Sequence, residues 1–212
     1  MKMLWIFDFD GTLIDSEKTI KECYLMTAKE FVPHRINFIK EMLIGPTLDE
    51  TIKLIITNKD KNLIDNFKER FKNLYDDKLI FQTKMYPKVN STLHYLFDKG
   101  DELCIATNKR SKTTHKLISY FGWEKLFSSV NCMDEQPKAK TKSDLSIFKN
   151  INKEAYKNIF FVGDTLSDGN AAMKNNINFI RANYGYGNSQ DWEKIKIYKS
   201  IFQFNEIITL IK

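Results

Sequence analysis

Residues 3–16, MLWIFDFDGTLIDS, run from five consecutive apolar side chains straight into two acids, a glycine and a threonine. Met3 to Phe7 has the continuous hydrophobicity of a strand buried on both faces of a sheet. Asp8 and Asp10 follow directly, so two carboxylates leave the carboxyl end of that strand two residues apart. In open parallel sheets ligands bind beyond those strand ends. Two carboxylates there are costly unless a cation or a proton compensates them. Mg²⁺ suits the pair, because it prefers oxygen donors and takes few protein carboxylates. Gly11 permits a tight turn, and Thr12 adds a hydroxyl. A calcium-binding EF-hand loop does not fit, since Leu13 and Thr19 stand where its glycine and its bidentate glutamate are required. A solvated acidic turn is the plain alternative for the stretch taken alone.

Four more short apolar runs recur downstream, at 102–106, 127–132, 158–162 and 178–182, with helical patterns between and after them. Residues 88–99 carry Val89, Leu93, Leu96 and Phe97 on one face. A second helix follows Ser111, its expected cap, and ends at Gly122. Another is expected from about Ser143 through Ile151, and others over 168–176 and 201–211. Strands alternating with helices predict an α/β fold, a doubly wound, Rossmann-like parallel sheet. One region departs from the alternation. From Glu17 to Thr83 the periodicity is helical, as at Tyr24, Leu25, Ala28 and Phe31, at 49–56 and at 63–81. That is too long for a single crossover helix. It reads as an inserted helical domain, residues 17–83, within a core of 1–16 and 84–212, with hinges near Ser16 and Met85-Tyr86-Pro87.

The other strand ends carry matching chemistry. Phe160-Phe161-Val162 delivers Gly163-Asp164-Thr165-Leu166-Ser167-Asp168, two acids four residues apart; Asp168 could equally cap the helix that follows. The run at 102–106 ends on Thr107-Asn108, a hydroxyl and an amide. Lys138, Lys140 and Lys142 precede a helix. Acids for a cation, with hydroxyl, amide and ammonium groups for an anion, suit phosphoryl transfer.

Asp8-Phe9-Asp10-Gly11-Thr12, Thr107-Asn108, a lysine near 142, and Gly163-Asp164 with Asp168 together resemble the four motifs of haloacid dehalogenase superfamily phosphatases, in family order and over essentially the whole chain. The phosphoglycolate phosphatase-like branch, with its alpha-helical cap, is the nearest match. The resemblance implies Asp8 as nucleophile, forming an aspartyl-phosphate. It implies Asp10 as general acid and then base, with its backbone carbonyl on Mg²⁺. Thr107, the Asn108 amide and a lysine would hold the phosphoryl group, and Asp8, Asp10, Asp164 and Asp168 would serve the metal. Lys142 is the closest match for the lysine, with Lys140 the runner-up. Ile44-Gly45-Pro46-Thr47 resembles the cap loop that faces the site, or is an ordinary interhelical turn. Tyr184-Gly185-Tyr186-Gly187 resembles a loop of the same branch, or is a plain surface loop. The implied activity is a Mg²⁺-dependent hydrolysis of a small phosphorylated metabolite. A beta-phosphoglucomutase-like mutase and a catalytically silent regulator share the motifs and stand as alternatives.

Bulk properties narrow the field. The 212 residues are 42% hydrophobic, enough for a sizeable core and against disorder. The net charge of +6 comes from interspersed signs, a field that attracts anionic substrates but lacks the basic patch nucleic acids require. Cys23, Cys104 and Cys132 are odd in number and form no CxxC, so they read as buried thiols of a reducing compartment, with no zinc site. No run approaches 18 apolar residues. The expectation is a cytoplasmic monomer or homodimer with no membrane or nucleic-acid partner.

Overall fold

In the computed structural model, which describes residues 1–210, the strand β1 (Leu4–Phe7) lies at the centre of a six-stranded parallel sheet. The other five strands are β4 (Glu102–Thr107), β5 (Ser129–Cys132), β6 (Ile159–Gly163), β7 (Asn178–Ala182) and β8 (Ile197–Ile201), in the order β5-β4-β1-β6-β7-β8. β1 pairs with β4 through Leu4–Glu102 to Phe7–Ile105, and with β6 through Leu4–Ile159 to Phe7–Val162. The sheet grows away from β1 in both directions. The switch point, where an open sheet forms its crevice, is therefore the carboxyl end of β1.

Alternation along β1 explains why its apolar run is unbroken. Trp5 and Phe7 enter one hydrophobic cluster with Leu93, Leu117 and Phe204, while Leu4 and Ile6 enter another with Leu145, Phe148 and Ala171. Burying each of Leu4, Ile6 and Phe7 contributes about 1.5–3 kcal/mol. The helices α5 (Val89–Asp98) and α6 (Ser111–Tyr120) supply the first face, and α7 (Ser146–Lys149) and α8 (Leu166–Lys174) the second.

Between β1 and β4 the chain leaves the sheet. A two-residue strand, β2 (Ile14–Asp15), pairs antiparallel with β3 (Lys84–Met85). Between those two lie the helices α1 (Glu17–Phe31), α2 (Ile36–Glu41), α3 (Leu48–Ile55) and α4 (Lys61–Leu74), followed by a wide helical turn, Tyr75–Leu79. They pack around aromatic side chains, with the Tyr24 ring 4.3 Å from Phe71, in a cluster continuous with the one on the first sheet face. Thr47 starts α3 with a reciprocal capping box to Glu50, and Asp60 caps α4 at Leu63 N.

Several expectations need correction. The segment 201–211 is not one helix: Ile201 ends β8, a strand with half-exposed Lys199 and Ser200 and so without a full apolar run, and a tight helical turn covers Phe204–Leu210. Ile211 lies outside the described residues. The helix expected over 143–151 shrinks to Ser146–Lys149, preceded by a turn at Lys142–Asp144. Ser111 does not cap α6; it is the first helical residue, and its N–H donates to the Asp134 carboxylate at 3.0 Å. The helical stretch expected through Phe81 does run that far, but as three pieces: α4 to Leu74, the wide turn Tyr75–Leu79 and a tight turn Ile80–Gln82. All three cysteines are buried and free.

Candidate active site

Asp8 stands immediately beyond β1, its N–H bonded to Val162 O at 2.9 Å. Asp164 stands beyond β6, and Asp168 in the first turn of α8. Their carboxylate oxygens lie within 4.8 Å of one another, and all three side chains are buried. Lys142 reaches them from the turn before α7, with Nζ 2.9 Å from Asp8 Oδ1 and 2.6 Å from Asp168 Oδ1. Lys140, by contrast, is exposed and offers its backbone N–H to Asp144.

Three carboxylates facing one ammonium leave the cluster short of positive charge. Burial, then the charge of Asp168, pushes the Asp8 carboxyl up to about 7 in spite of Lys142. Asp164 is raised well above the usual carboxylate range by burial, then by Asp168 and Asp8. Burial works against the Lys142 ammonium, but Asp168 and Asp8 more than offset it and its pKa rises. Asp8 Oδ1 touches Lys142 as an ion pair without the alignment of a hydrogen bond, and is otherwise a buried acceptor with no donor. A hard divalent cation fits that donor set.

Asp168 turns out to have two functions that the sequence left as alternatives. Its Oδ2 accepts from Thr165 N at 2.9 Å and Thr165 Oγ1 at 2.7 Å, completing the capping box of α8, and its Oδ1 holds Lys142. Asp164 is steadied differently, by Thr12 Oγ1 at 3.1 Å and Tyr186 N at 2.7 Å. Gly11, at φ +83°, passes so close that a Cβ would stand 2.2 Å from Asp164 Oδ2. The loop 184–187 wraps these acids: a Cβ on Gly185 would meet Asp164 at 2.3 Å, and Tyr184 Oη donates to Thr12 O at 2.9 Å. That loop is neither plain surface nor among the residues lining the cavity described next.

Asp10 belongs to a separate group. Its carboxylate accepts from Ser16 Oγ and from Lys109 Nζ, the latter at 3.0 and 3.2 Å. Lys109 Nζ also donates to Tyr75 Oη, 2.9 Å away in the helical insert. Burial lowers the Lys109 pKa, but Asp10 and Tyr75 more than reverse it. Sequence reading passed over Lys109; the signal was its place directly after Thr107-Asn108. Thr107 ends β4 and its Oγ1 accepts from Lys109 N at 3.1 Å. Asn108 Nδ2 donates to Gly45 O at 2.9 Å, which docks the 44–47 loop onto the strand end. Asp8, Asp10, Thr107, Asn108 and Lys109 line one cavity with Ile44, Gly45 and Pro46 overhead.

The model of haloacid dehalogenase-like hydrolases matches residues 5–182. The chain belongs to the haloacid dehalogenase-like hydrolase family. The phosphoglycolate phosphatase of Psychrobacter arcticus is 28% identical to it over 218 residues, spanning 98% of this chain and 94% of the relative. The pyrophosphatase PpaX of Oceanobacillus iheyensis is 33% identical over 138 residues, 64% of this chain and 61% of the relative. A crystal structure described as a predicted phosphoglycolate phosphatase from Haemophilus somnus superposes with a TM-score of 0.86 at 24% identity, over 99% of this chain and 97% of that one. These relatives put the family member in the phosphoglycolate phosphatase-like branch, as a phosphatase-type hydrolase. The alternative of a catalytically silent regulator falls away. No described helix is long and apolar enough to cross a membrane.

Proposed function

We propose that this family member is a Mg²⁺-dependent phosphatase that hydrolyses a small phosphate monoester through an aspartyl-phosphate on Asp8. The observation that carries the reading is the separation of the first two acids. Asp8 sits in the cation-short cluster, while Asp10, two residues on, is held by Lys109 and Ser16. One is suited to attack phosphorus and the other to handle protons.

Asp8 and Asp164, with the backbone carbonyl of Asp10, would hold Mg²⁺. Asp168, already engaged by Thr165 and Lys142, positions that lysine. Bound there, Mg²⁺ supplies the positive charge that cancels repulsion between an anionic nucleophile and an anionic phosphate. Lys142 contributes to the same end from the other side of Asp8. Thr107 Oγ1 and the Asn108 amide hold the phosphoryl oxygens. An Asp8 oxygen bonds to phosphorus as the ester P–O bond breaks, and Asp10 gives its proton to the leaving alkoxide. Asp10 then takes a proton from water, whose oxygen displaces Asp8 from phosphorus and restores the enzyme. The insert, 17–83, acts as the cap over the core, 1–16 and 84–212, and excludes bulk water while the acyl phosphate exists; support comes from Ile44, Gly45 and Pro46 roofing the cavity. Three buried free thiols support a cytoplasmic setting.

The test is release of phosphate from 4-nitrophenyl phosphate. It is expected to require Mg²⁺ and to vanish in Asp8→Asn, with acid-stable phosphate labelling of Asp8 in the native chain. Undiminished turnover in Asp8→Asn would overturn the reading.

A further inference from the structure

Asp10 is held from two directions. Lys109 Nζ lies between its two carboxylate oxygens, at 3.0 and 3.2 Å, and scarcely distinguishes them. The Ser16 hydroxyl does distinguish them, since it donates to Oδ1 and leaves Oδ2 the freer oxygen. Ser16 is fully buried and stands at the start of α1, where the chain leaves for the helical insert. It is fixed in turn by a side chain 170 residues away in sequence. Tyr186 Oη accepts the Ser16 N–H at 2.8 Å and lies 3.3 Å from Ser16 Oγ. Because Ser16 Oγ gives its own proton to Asp10, the Tyr186 hydroxyl is the donor across that second gap. At its backbone, the same tyrosine donates its N–H to Asp164 Oδ2 at 2.7 Å.

A general acid works only when its oxygen is held against the leaving group, and small misplacements there are costly. A hydroxyl can hold a carboxylate only if it is itself held. We propose that Tyr186 is a positioning residue for proton transfer, its hydroxyl fixing the orientation of the Asp10 carboxylate through Ser16. This rests on the phosphatase reading above and adds to it a residue that lines no part of the cavity. Tyr186 thereby serves both acids by different atoms, its backbone N–H steadying Asp164 and its hydroxyl steadying Asp10. Tyr186→Phe separates the two, because it keeps the N–H and the ring and removes one oxygen.

Leaving-group dependence tests it. Phenyl phosphate and 2,4-dinitrophenyl phosphate share a ring, but only the first releases an oxygen basic enough to need a proton from the enzyme. In Tyr186→Phe, kcat/KM for phenyl phosphate is expected to fall about tenfold, and that for 2,4-dinitrophenyl phosphate to stay within about twofold. The Mg²⁺ concentration for half-maximal rate should also stay within about twofold, since the contact to Asp164 is kept. Ser16→Ala should show the same selective loss. Adding Tyr186→Phe to it should cost less than about a further twofold, because the two groups act in series on Asp10. Each comparison sets two substrates against one preparation, so a partly folded variant still reports; where Tyr186→Phe does not fold, Ser16→Ala alone decides. Equal losses for both substrates, undiminished phenyl phosphate turnover, additive losses in the double variant or a weakened Mg²⁺ response would overturn the proposal. So would a native chain active on 2,4-dinitrophenyl phosphate alone, which would have no working acid to position. Release of phosphate from neither substrate by the native chain would overturn the phosphatase reading itself, and the positioning role with it.

Discussion

The charge groups around Asp8 and around Asp10 are balanced in opposite ways. On the sheet side, Asp8, Asp164 and Asp168 converge on one lysine, an arrangement left short of positive charge and held in place by backbone donors, hydroxyls and glycine-tight packing. On the helical side acids and bases are paired more evenly: Lys109 with Asp10, and Arg110, with Lys112 nearby, on Asp76. In the proposed mechanism the sheet side takes the cation and the phosphoryl group drawn in with it.

The contrast can be tested at several strengths. Asp8→Asn is expected to cut kcat by at least about 10⁴-fold, measured with 4-nitrophenyl phosphate. The same change removes one of three crowded carboxylates, so the metal-free protein should melt at a higher temperature at pH 8 than the native chain does. Lower melting in the variant would show that the cluster is not charge-strained. Lys142→Ala is expected to lower kcat about 10²–10³-fold. Lys109→Met, on the charge-matched side, should cost about tenfold, mainly in kcat, as the carboxylate of Asp10 loses its fixed position. Equal losses in both lysine variants would erase the distinction between the two sides.

Metal and pH give a smaller readout. Asp8 has a folded pKa of about 7 against an ordinary value of 3.8, so between these values the folded chain holds a proton that the unfolded chain lacks. Stability from this group is greatest below pH 3.8 and declines as pH rises towards 7. A bound cation competes with that proton. Added Mg²⁺ should therefore raise the melting temperature more at pH 8 than at pH 5, and calorimetry with and without chelator checks it. The smallest effect expected is that of Asp60→Ala, which removes the side-chain cap of α4 at a position outside the cavity lining. A loss of about 1 kcal/mol, roughly 2–4 °C in melting temperature, should leave kcat for 4-nitrophenyl phosphate within about twofold.

How much of this was readable beforehand depends on how locally each feature is encoded. β1, β4 and β6 announce themselves because a strand covered on both faces needs a nearly unbroken apolar run. β8 was missed because it is the edge strand, where exposed Tyr198 and half-exposed Lys199 and Ser200 interrupt the apolar pattern. β2 and β3 are two residues each, too short for any period to register. The acids were legible because DxDGT and GDxxxD carry their own turns. Lys109 and Asp76 were not, since their significance lies in partners 99 and 34 residues away, contacts that only the fold creates. Asp168 was legible as a helix cap and as a member of the acid cluster, but not as both.

The short ribbon of Ile14–Asp15 against Lys84–Met85 carries a last consequence. The chain leaves for the helical segment and returns from it at adjacent points, through one two-stranded neck. Yet the buried side chains of that segment belong to the same hydrophobic cluster as Trp5 and Phe7, so a change in its helices is felt at the sheet face they pack on.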